Sequence, residues 1–243
     1  MTSPWLSEQG ISPQLLWRYR QSGWLEPLGR GVWIRPGHKP SWQSSIHALQ
    51  DQLNAPVWPA GRSALELLGQ AHFIPQGEQP PLQLCVSAGY RIPEWFRRQT
   101  FARNLLTFGS DALFDPPYAG LTGVEHTELA LRISSPERAI LELCHLTPQK
   151  ADPEEVLQLF EGLPALRAPL IQSLLLSCQS AKAKRLFLIL AEMVRHPWLN
   201  QLDLQSVDVG AGKRKLPVSG PFDRKYKITV PAQWAEHASD DAS

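Results

Sequence analysis

Hydrophobic and polar positions near the amino end follow a helical period. Across residues 11–21, Ile11, Leu15 and Tyr19 fall on one stripe while Gln14, Trp17, Arg18 and Gln21 fall on the opposite one. One face is therefore built to pack and the other to meet something polar. Ser12 and Pro13 start this helix, because a serine oxygen accepts an orphan backbone N–H and proline's fixed φ suits the first helical position; Ser3 and Pro4 start a shorter one in the same way. Gly10 and Ile11 separate the two, and Gly23 offers the left-handed residue that ends the second. Residues 29–35 then alternate as a β-turn and strand should, with Gly31 at the pivot. Two short helices followed by a basic hairpin outline a winged helix-turn-helix over residues 1–38.

Beyond Pro36, Gly37 and Pro40 a second pattern begins. Ile46, Leu49 and Leu53 place a helix over 42–53, a short helix over 62–68 lies between Gly61 and Gly69, and Leu82, Leu84 and Val86 alternate as a strand. Residues 101–108 and 121–133 also read as extended. From Ser135 and Pro136 the period turns helical, and Asp152, Pro153 and Glu155 form a capping-box start for the next helix. Helices over 166–178 and 182–196 come after it, then closing strands over 207–209, 216–218 and 226–230, and a polar, frayed tail from Glu236. The fold class is thus α/β (α+β): an N-terminal winged helix-turn-helix, residues 1–38, followed by a larger mixed α/β domain, residues 39–243, with a candidate subdivision at 148–152. A head of under 40 residues buries too little surface to stand alone, so it should lean on the next domain, with Trp5, Trp24 and Trp33 supplying the apolar area.

Charge sharpens this picture. The chain carries a net charge of +1 over 243 residues, but residues 1–40 hold five basic side chains against two acidic ones, and residues 180–227 hold ten against four. The three cysteines, Cys85, Cys144 and Cys178, are far apart and odd in number, which argues against a disulfide framework or a thiolate metal cluster. No signal peptide is read at the start, and the most apolar run, residues 186–194, is too short to span a bilayer and contains Glu192. A cytoplasmic location without membrane attachment is expected.

Two sets of residues carry candidate chemistry. In the head, Gln14, Arg18 and Gln21 suit base edges in the major groove, Trp17 lies on the same face, and Ser12 sits at a helix N-terminus that favours a phosphate. Arg30 and Arg35 on the wing would add contacts to the DNA backbone. The competing reading makes the head a protein-contact module with Trp17 as anchor. In the C-terminal region, Lys182, Lys184 and Arg185 on a helix, with Lys213, Arg214 and Lys215 in a glycine-flanked turn, form a basic surface that could meet a phosphate backbone or an acidic partner; a solvated helix face and a charged hairpin is the plainer account.

Other constellations fall short of a site. Gly210, Gly212 and Lys213 resemble a phosphate loop, but Val207 and Arg214 occupy positions that need glycine and Ser or Thr. Glu125, His126 and Glu128 form the densest acid and imidazole group, with 126 and 128 expected on one strand face and 125 on the other. Cys144 and His145 are adjacent on a helix and cannot share a substrate. No nucleophile elbow or dinucleotide fingerprint is present, so no catalytic residue, metal or cofactor is expected. The alternatives kept open are a metal-dependent nucleic-acid-processing enzyme using Glu125, His126, Glu128 or Asp208, and a protein-interaction adaptor working through Trp17 and the Lys213 turn.

Taken in order, Ser22-Gly23-Trp24-Leu25-Glu26, the run from Gly61 to Gly69, Ser135-Pro136-Glu137-Arg138-Ala139, Lys182 with Lys184-Arg185-Leu186-Phe187, Gly212-Lys213-Arg214 and the run from Tyr226 to Pro231 resemble the AbiEi antitoxins of type IV toxin–antitoxin systems. The resemblance spans most of the chain. It implies an N-terminal winged helix that binds inverted repeats in the protein's own promoter as a repressor. It further implies a larger domain that counteracts a nucleotidyltransferase-like toxin without a stable direct complex. A free-standing helix-turn-helix normally carries a third, leading helix, which is expected here to be missing or very short.

Overall fold

The computed structural model describes residues 1–71 and 80–235, which form a mixed α/β architecture of helices and several small sheets. They fall into two compact units interleaved along the chain. The first holds Met1–Pro59, the described residues that run up to Phe108, and Gly123–Ile133; the second holds the described residues from Ala60, Gly109–Thr122 and those from Ser134 onward.

The first unit opens with α1 (Ser3–Glu8) and α2 (Pro13–Gln21). Ser12 caps α2 as expected, its Oγ accepting the Leu15 N–H at 3.2 Å. At α1 the capping residue is Thr2, without a side-chain bond, and Ser3 lies inside the helix, where its Oγ accepts the Trp33 indole N–H at 2.9 Å. α2 ends where Gly23 takes φ +72, which lets the Gly23 N–H reach the Arg20 carbonyl and the Trp24 N–H the Tyr19 carbonyl. The wing is an antiparallel pair, β1 (Glu26–Gly29) and β2 (Val32–Ile34), with Glu26 opposite Ile34, Pro27 opposite Trp33, and a bulge after Pro27. The amino-terminal residues stitch it to α1: the Ser3 N–H donates to the Gly31 carbonyl and the Trp33 N–H to the Met1 carbonyl, both at 2.8 Å.

Next comes α3 (Trp42–His47), started by a reciprocal Ser41 and Ser44 capping box, which runs into a π-helical turn, Ala48–Gln52. The chain then forms β3 (Val57–Pro59), passes through α4 (Gly61–Leu67) of the second unit, and returns as β4 (Leu82–Val86), α5 (Glu94–Arg97) and β5 (Leu105–Gly109). β3, β4 and β5 make a three-stranded sheet, with Trp58 opposite Cys85. Residues 101–108, expected to be extended throughout, begin instead with a 3₁₀ turn, Thr100–Ala102, before β5. Residues 121–133 are a hairpin rather than one stretch. β6 (Leu121–His126) and β7 (Leu129–Ser134) are joined through Thr127 and Glu128, both at positive φ.

The head does lean on the rest of its unit, though not through all the tryptophans expected. A Cβ on Gly29 would lie 2.5 Å from the Trp95 Cβ, so β1 approaches α5 as closely as only glycine permits. The Thr2 N–H donates to Gln52 Oε1 at 2.8 Å, which ties the chain start to the π-helical turn. Trp5 and Trp33 are half-buried, whereas Trp24 is 73% exposed and takes no part in this packing.

The second unit is built on α4 together with α6 (Pro136–Leu146), α7 (Pro153–Glu161), α8 (Ala168–Ser177) and α9 (Ala181–Val194). Ser135, Asp152 and Ser180 each accept a backbone N–H as N-caps. α9 is buried without interruption from Ala183 to Ala191. α6 packs against both α4 and α9, and Phe160, Phe187, His196 and Trp198 form an aromatic cluster in the same unit. Inside the core, the fully buried Arg138 donates to Glu142 Oε1 (2.7 Å), the Pro117 carbonyl (2.8 Å) and Ser110 Oγ (2.8 Å). Glu142, equally buried, also accepts the Ser134 hydroxyl and the Gly61 N–H, each at 2.9 Å. Of the three closing strands expected, 207–209 and 216–218 are irregular. β8 (Phe222–Asp223) and β9 (Ile228–Thr229) pair antiparallel, Arg214 makes an isolated parallel bridge with Ile228, and the polar tail from Glu236 lies outside the described residues.

Candidate nucleic-acid interface

α2 has no fully buried residue, so tertiary packing holds it by one side only. Ile11, Leu15, Leu16 and Tyr19 are half-buried on that side, while Gln14, Trp17, Arg18 and Gln21 are all exposed, with Trp17 at 60%. The helix carries no acid in its first turn and has Arg18 and Arg20 in its last. Arg20, which the face-by-face reading left out, is exposed too; it follows Trp17 by three residues, the spacing of helix-surface neighbours, and so borders the same face. Ser12, exposed at the N-cap, uses its oxygen for the Leu15 N–H and keeps its hydroxyl hydrogen available as a donor.

The hairpin presents two further cations. Arg30 stands at the tip of the wing and Arg35 directly follows β2, and both are exposed. Between them, Val32 is buried and Trp33 half-buried, so the strand keeps its apolar side on the unit and turns charge outward at its ends. The seven head residues singled out in the sequence therefore all reach solvent. A helix face rich in amide and guanidinium donors lies in one unit with a basic hairpin, an arrangement suited to base edges and phosphates.

The C-terminal basic set divides. Lys213, Arg214 and Lys215 are exposed, as a surface requires. Lys184 and Arg185 are buried, and this corrects their placement on a surface. Arg185 donates to the carbonyls of Val209 (2.8 Å), Gly210 (2.7 Å), Gly212 (2.8 Å) and Lys227 (3.1 Å), so its guanidinium holds the irregular segment that carries Lys213 to Lys215. Lys182 is half-buried with its Nζ on the Thr147 carbonyl at 2.8 Å, and burial lowers its ammonium from the ordinary lysine range. The sequence shows three basic residues on one helix, and that helix is buried from Ala183 to Ala191.

The acid and imidazole group fares no better as a metal site. Glu128 sits in the β6–β7 turn at φ +66 rather than on a strand face beside His126, and no group of three or more potential metal ligands occurs among the described residues. Cys85, Cys144 and Cys178 are buried and form no disulfide; burial raises the Cys144 thiol far above its ordinary value, which keeps it protonated. No helix among the described residues is long and apolar enough to cross a membrane.

A two-helix head with an antiparallel wing, joined to a mixed α/β body, defines a regulator of the winged-helix class. Comparison with known families makes this specific. Residues 1–76 match the family described as transcriptional regulator, AbiEi antitoxin N-terminal domain, and residues 79–231 match transcriptional regulator, AbiEi antitoxin, type IV TA system. The chain belongs to the AbiEi family of antitoxins and transcriptional regulators of type IV toxin–antitoxin systems. No curated protein matches it. Among solved structures, the crystal structure of the RV2827C protein from Mycobacterium tuberculosis is similar in fold, with a TM-score of 0.61 at 15% identity over 98% of this chain and 86% of that one.

Proposed function

We propose that this protein represses its own promoter by placing α2 in the major groove of each half of an inverted repeat, and that it counteracts a nucleotidyltransferase-like toxin. The observation that carries the reading is the exposed face of α2, with Gln14, Trp17, Arg18 and Gln21 free of packing, in one unit with the exposed Arg30 and Arg35 of the wing. Residues 1–38 act as the reading head, Gln and Arg addressing base edges and the wing addressing phosphates. Two copies on an inverted repeat are required because one short head offers few contacts. The protein acts in the cytoplasm as a regulator rather than a catalyst, and needs no cofactor.

A mobility-shift titration of a promoter fragment at several salt concentrations tests the head. Arg18→Ala should cost about 1–3 kcal/mol and relax preference at one base position, whereas Arg30→Ala should weaken all sequences alike and reduce the salt slope by about one. Unchanged binding in both variants rejects the assignment. The antitoxin role falls to a separate surface, for which the exposed Lys213, Arg214 and Lys215 are the candidates. Replacing all three by Gln should leave promoter affinity near that of the parent protein while abolishing rescue of cells that express the toxin. Retained rescue removes the turn from the mechanism.

A further inference from the structure

The first unit carries an open cleft of about 390 Å³ between the wing, α3 with its π-helical turn, and α5. Its size lies in the range of small-ligand sites, and its walls have the composition of one: apolar surface with a few convergent polar groups. Leu28, Trp33, Trp95 and Leu129 supply apolar area, the two tryptophans being the aromatic residues of the lining. Trp33 is fixed by its indole bond to Ser3, and Trp95 is braced edge-on by Phe96, which in turn meets Phe101. These walls are therefore set in place before anything binds.

The charge of the lining is one-sided. Arg35, His38, Lys39 and His47 all border the cavity, and among the described residues no carboxylate does. Asp51 faces His47 Nε2 at 3.9 Å from outside the lining, and the second ring nitrogen of His47 lies 3.1 Å from the Ala130 carbonyl. Arg35, His38 and Lys39 are exposed, so cationic donors stand at the mouth while the indoles lie within. The floor includes Ala48 and Gln52 of the π-helical turn, a backbone distortion that recurs at functional sites.

We propose that this cavity binds a small planar aromatic anion, its ring between Trp33 and Trp95 and its charged group on Lys39 and Arg35. A further consequence rests on the DNA-reading function proposed above. Arg35 belongs both to this lining and to the set assigned to the DNA backbone, so an occupant that holds its guanidinium competes with phosphate, and ligand and promoter weaken one another.

2-Naphthoate is the probe, with uncharged 2-naphthalenemethanol as its control. Calorimetry should show saturable one-to-one binding of naphthoate, about tenfold or more tighter than the alcohol, the worth of one charge-assisted hydrogen bond. Lys39→Glu, a change at an exposed position, should weaken naphthoate by a similar factor and leave the alcohol unaffected. Indole N–H signals of Trp33 and Trp95 should move on titration while those of Trp17 and Trp24, both exposed on the head, stay. Equal affinity for acid and alcohol, an unaltered affinity in Lys39→Glu, or shifts confined to other tryptophans would each overturn the site. Saturating naphthoate should also lower promoter affinity. Binding at the mapped indoles without that loss, in a protein whose Arg18→Ala variant still shows its own defect, overturns the competition for Arg35.

Discussion

The buried pair of Arg138 and Glu142 gives the sharpest test of how the second unit is held together, because its removal has a worked cost. Both side chains are fully excluded from solvent. Arg138→Met takes away the cation and leaves the Glu142 carboxylate with only the Ser134 hydroxyl and the Gly61 N–H, while the Pro117 carbonyl and Ser110 Oγ lose the guanidinium as a donor. Breaking a buried pair in this way costs about 3–5 kcal/mol, since an uncompensated charge remains inside. For a chain of this length, about 2–4 °C of melting temperature goes with each kcal/mol, so the second unit should melt about 6–20 °C lower. Hydrogen exchange assigns the loss by segment. Protection should fall in α4 and α6 and hold in β3 and β4, which belong to the first unit. The double variant Arg138→Met with Glu142→Leu removes the stranded charge and should recover more than half of the loss. A cost under about 1 kcal/mol for the single variant, or a double variant worse than the sum of its parts, refutes the view that the ion pair organises this core.

Arg185→Met strips the Val209, Gly210 and Gly212 carbonyls of their guanidinium donor, leaves the Lys227 carbonyl with the Arg214 N–H, and should destabilise the second unit by about 2–4 kcal/mol, with limited proteolysis opening residues 209–227 while promoter binding holds. Burial raises the Glu137 carboxyl, but hydrogen bonds from Arg167 outweigh it and hold the group below the ordinary glutamate range. The stability this contributes is therefore present above about pH 4.3, the unfolded value, and is lost as pH falls through the lower folded value; urea midpoints at descending pH should show that decline in the parent protein and a shallower one in Arg167→Gln.

Much of the head was legible because its signals are local. The Ser12 cap, the Gly23 terminator and the opposed stripes of α2 depend on residues within a turn or two, and each appears where the spacing places it. The strand β1 was not legible, since Pro27 and Gly29 break the alternation that marks a strand; Gly29 is there for Trp95, 66 positions away, and such a demand leaves no local trace. The hairpin turn at Thr127 and Glu128 was missed for a related reason: it lacks the Asn-Gly or Asp-Gly pair that announces positive φ at both central residues. The irregular 207–218 segment read as strands because Val207, Val209, Leu216 and Val218 alternate, although a buried guanidinium holds its Val209, Gly210 and Gly212 carbonyls and an isolated bridge joins Arg214 to Ile228.

The arginines expose a distinction that composition conceals. Arg18, Arg30 and Arg35 reach solvent, whereas Arg138 and Arg185 are buried and spend their donors on backbone carbonyls, one carboxylate and the Ser110 hydroxyl. Counting bases in a window treats the two kinds alike, which is why the C-terminal charge cluster looked like one surface. What separates them is the helix each belongs to. Arg185 precedes Leu186, Phe187, Leu188, Ile189, Leu190 and Ala191, a run with no polar face, so α9 must lie inside and any charge at its start must find acceptors there. Arg18 sits in a helix whose half-buried residues, Leu15, Leu16 and Tyr19, lie on a single side, so its side chain can point away from the fold at no desolvation cost. Helical periodicity, read before charge, thus tells which cations are available to a partner and which are already committed to the fold.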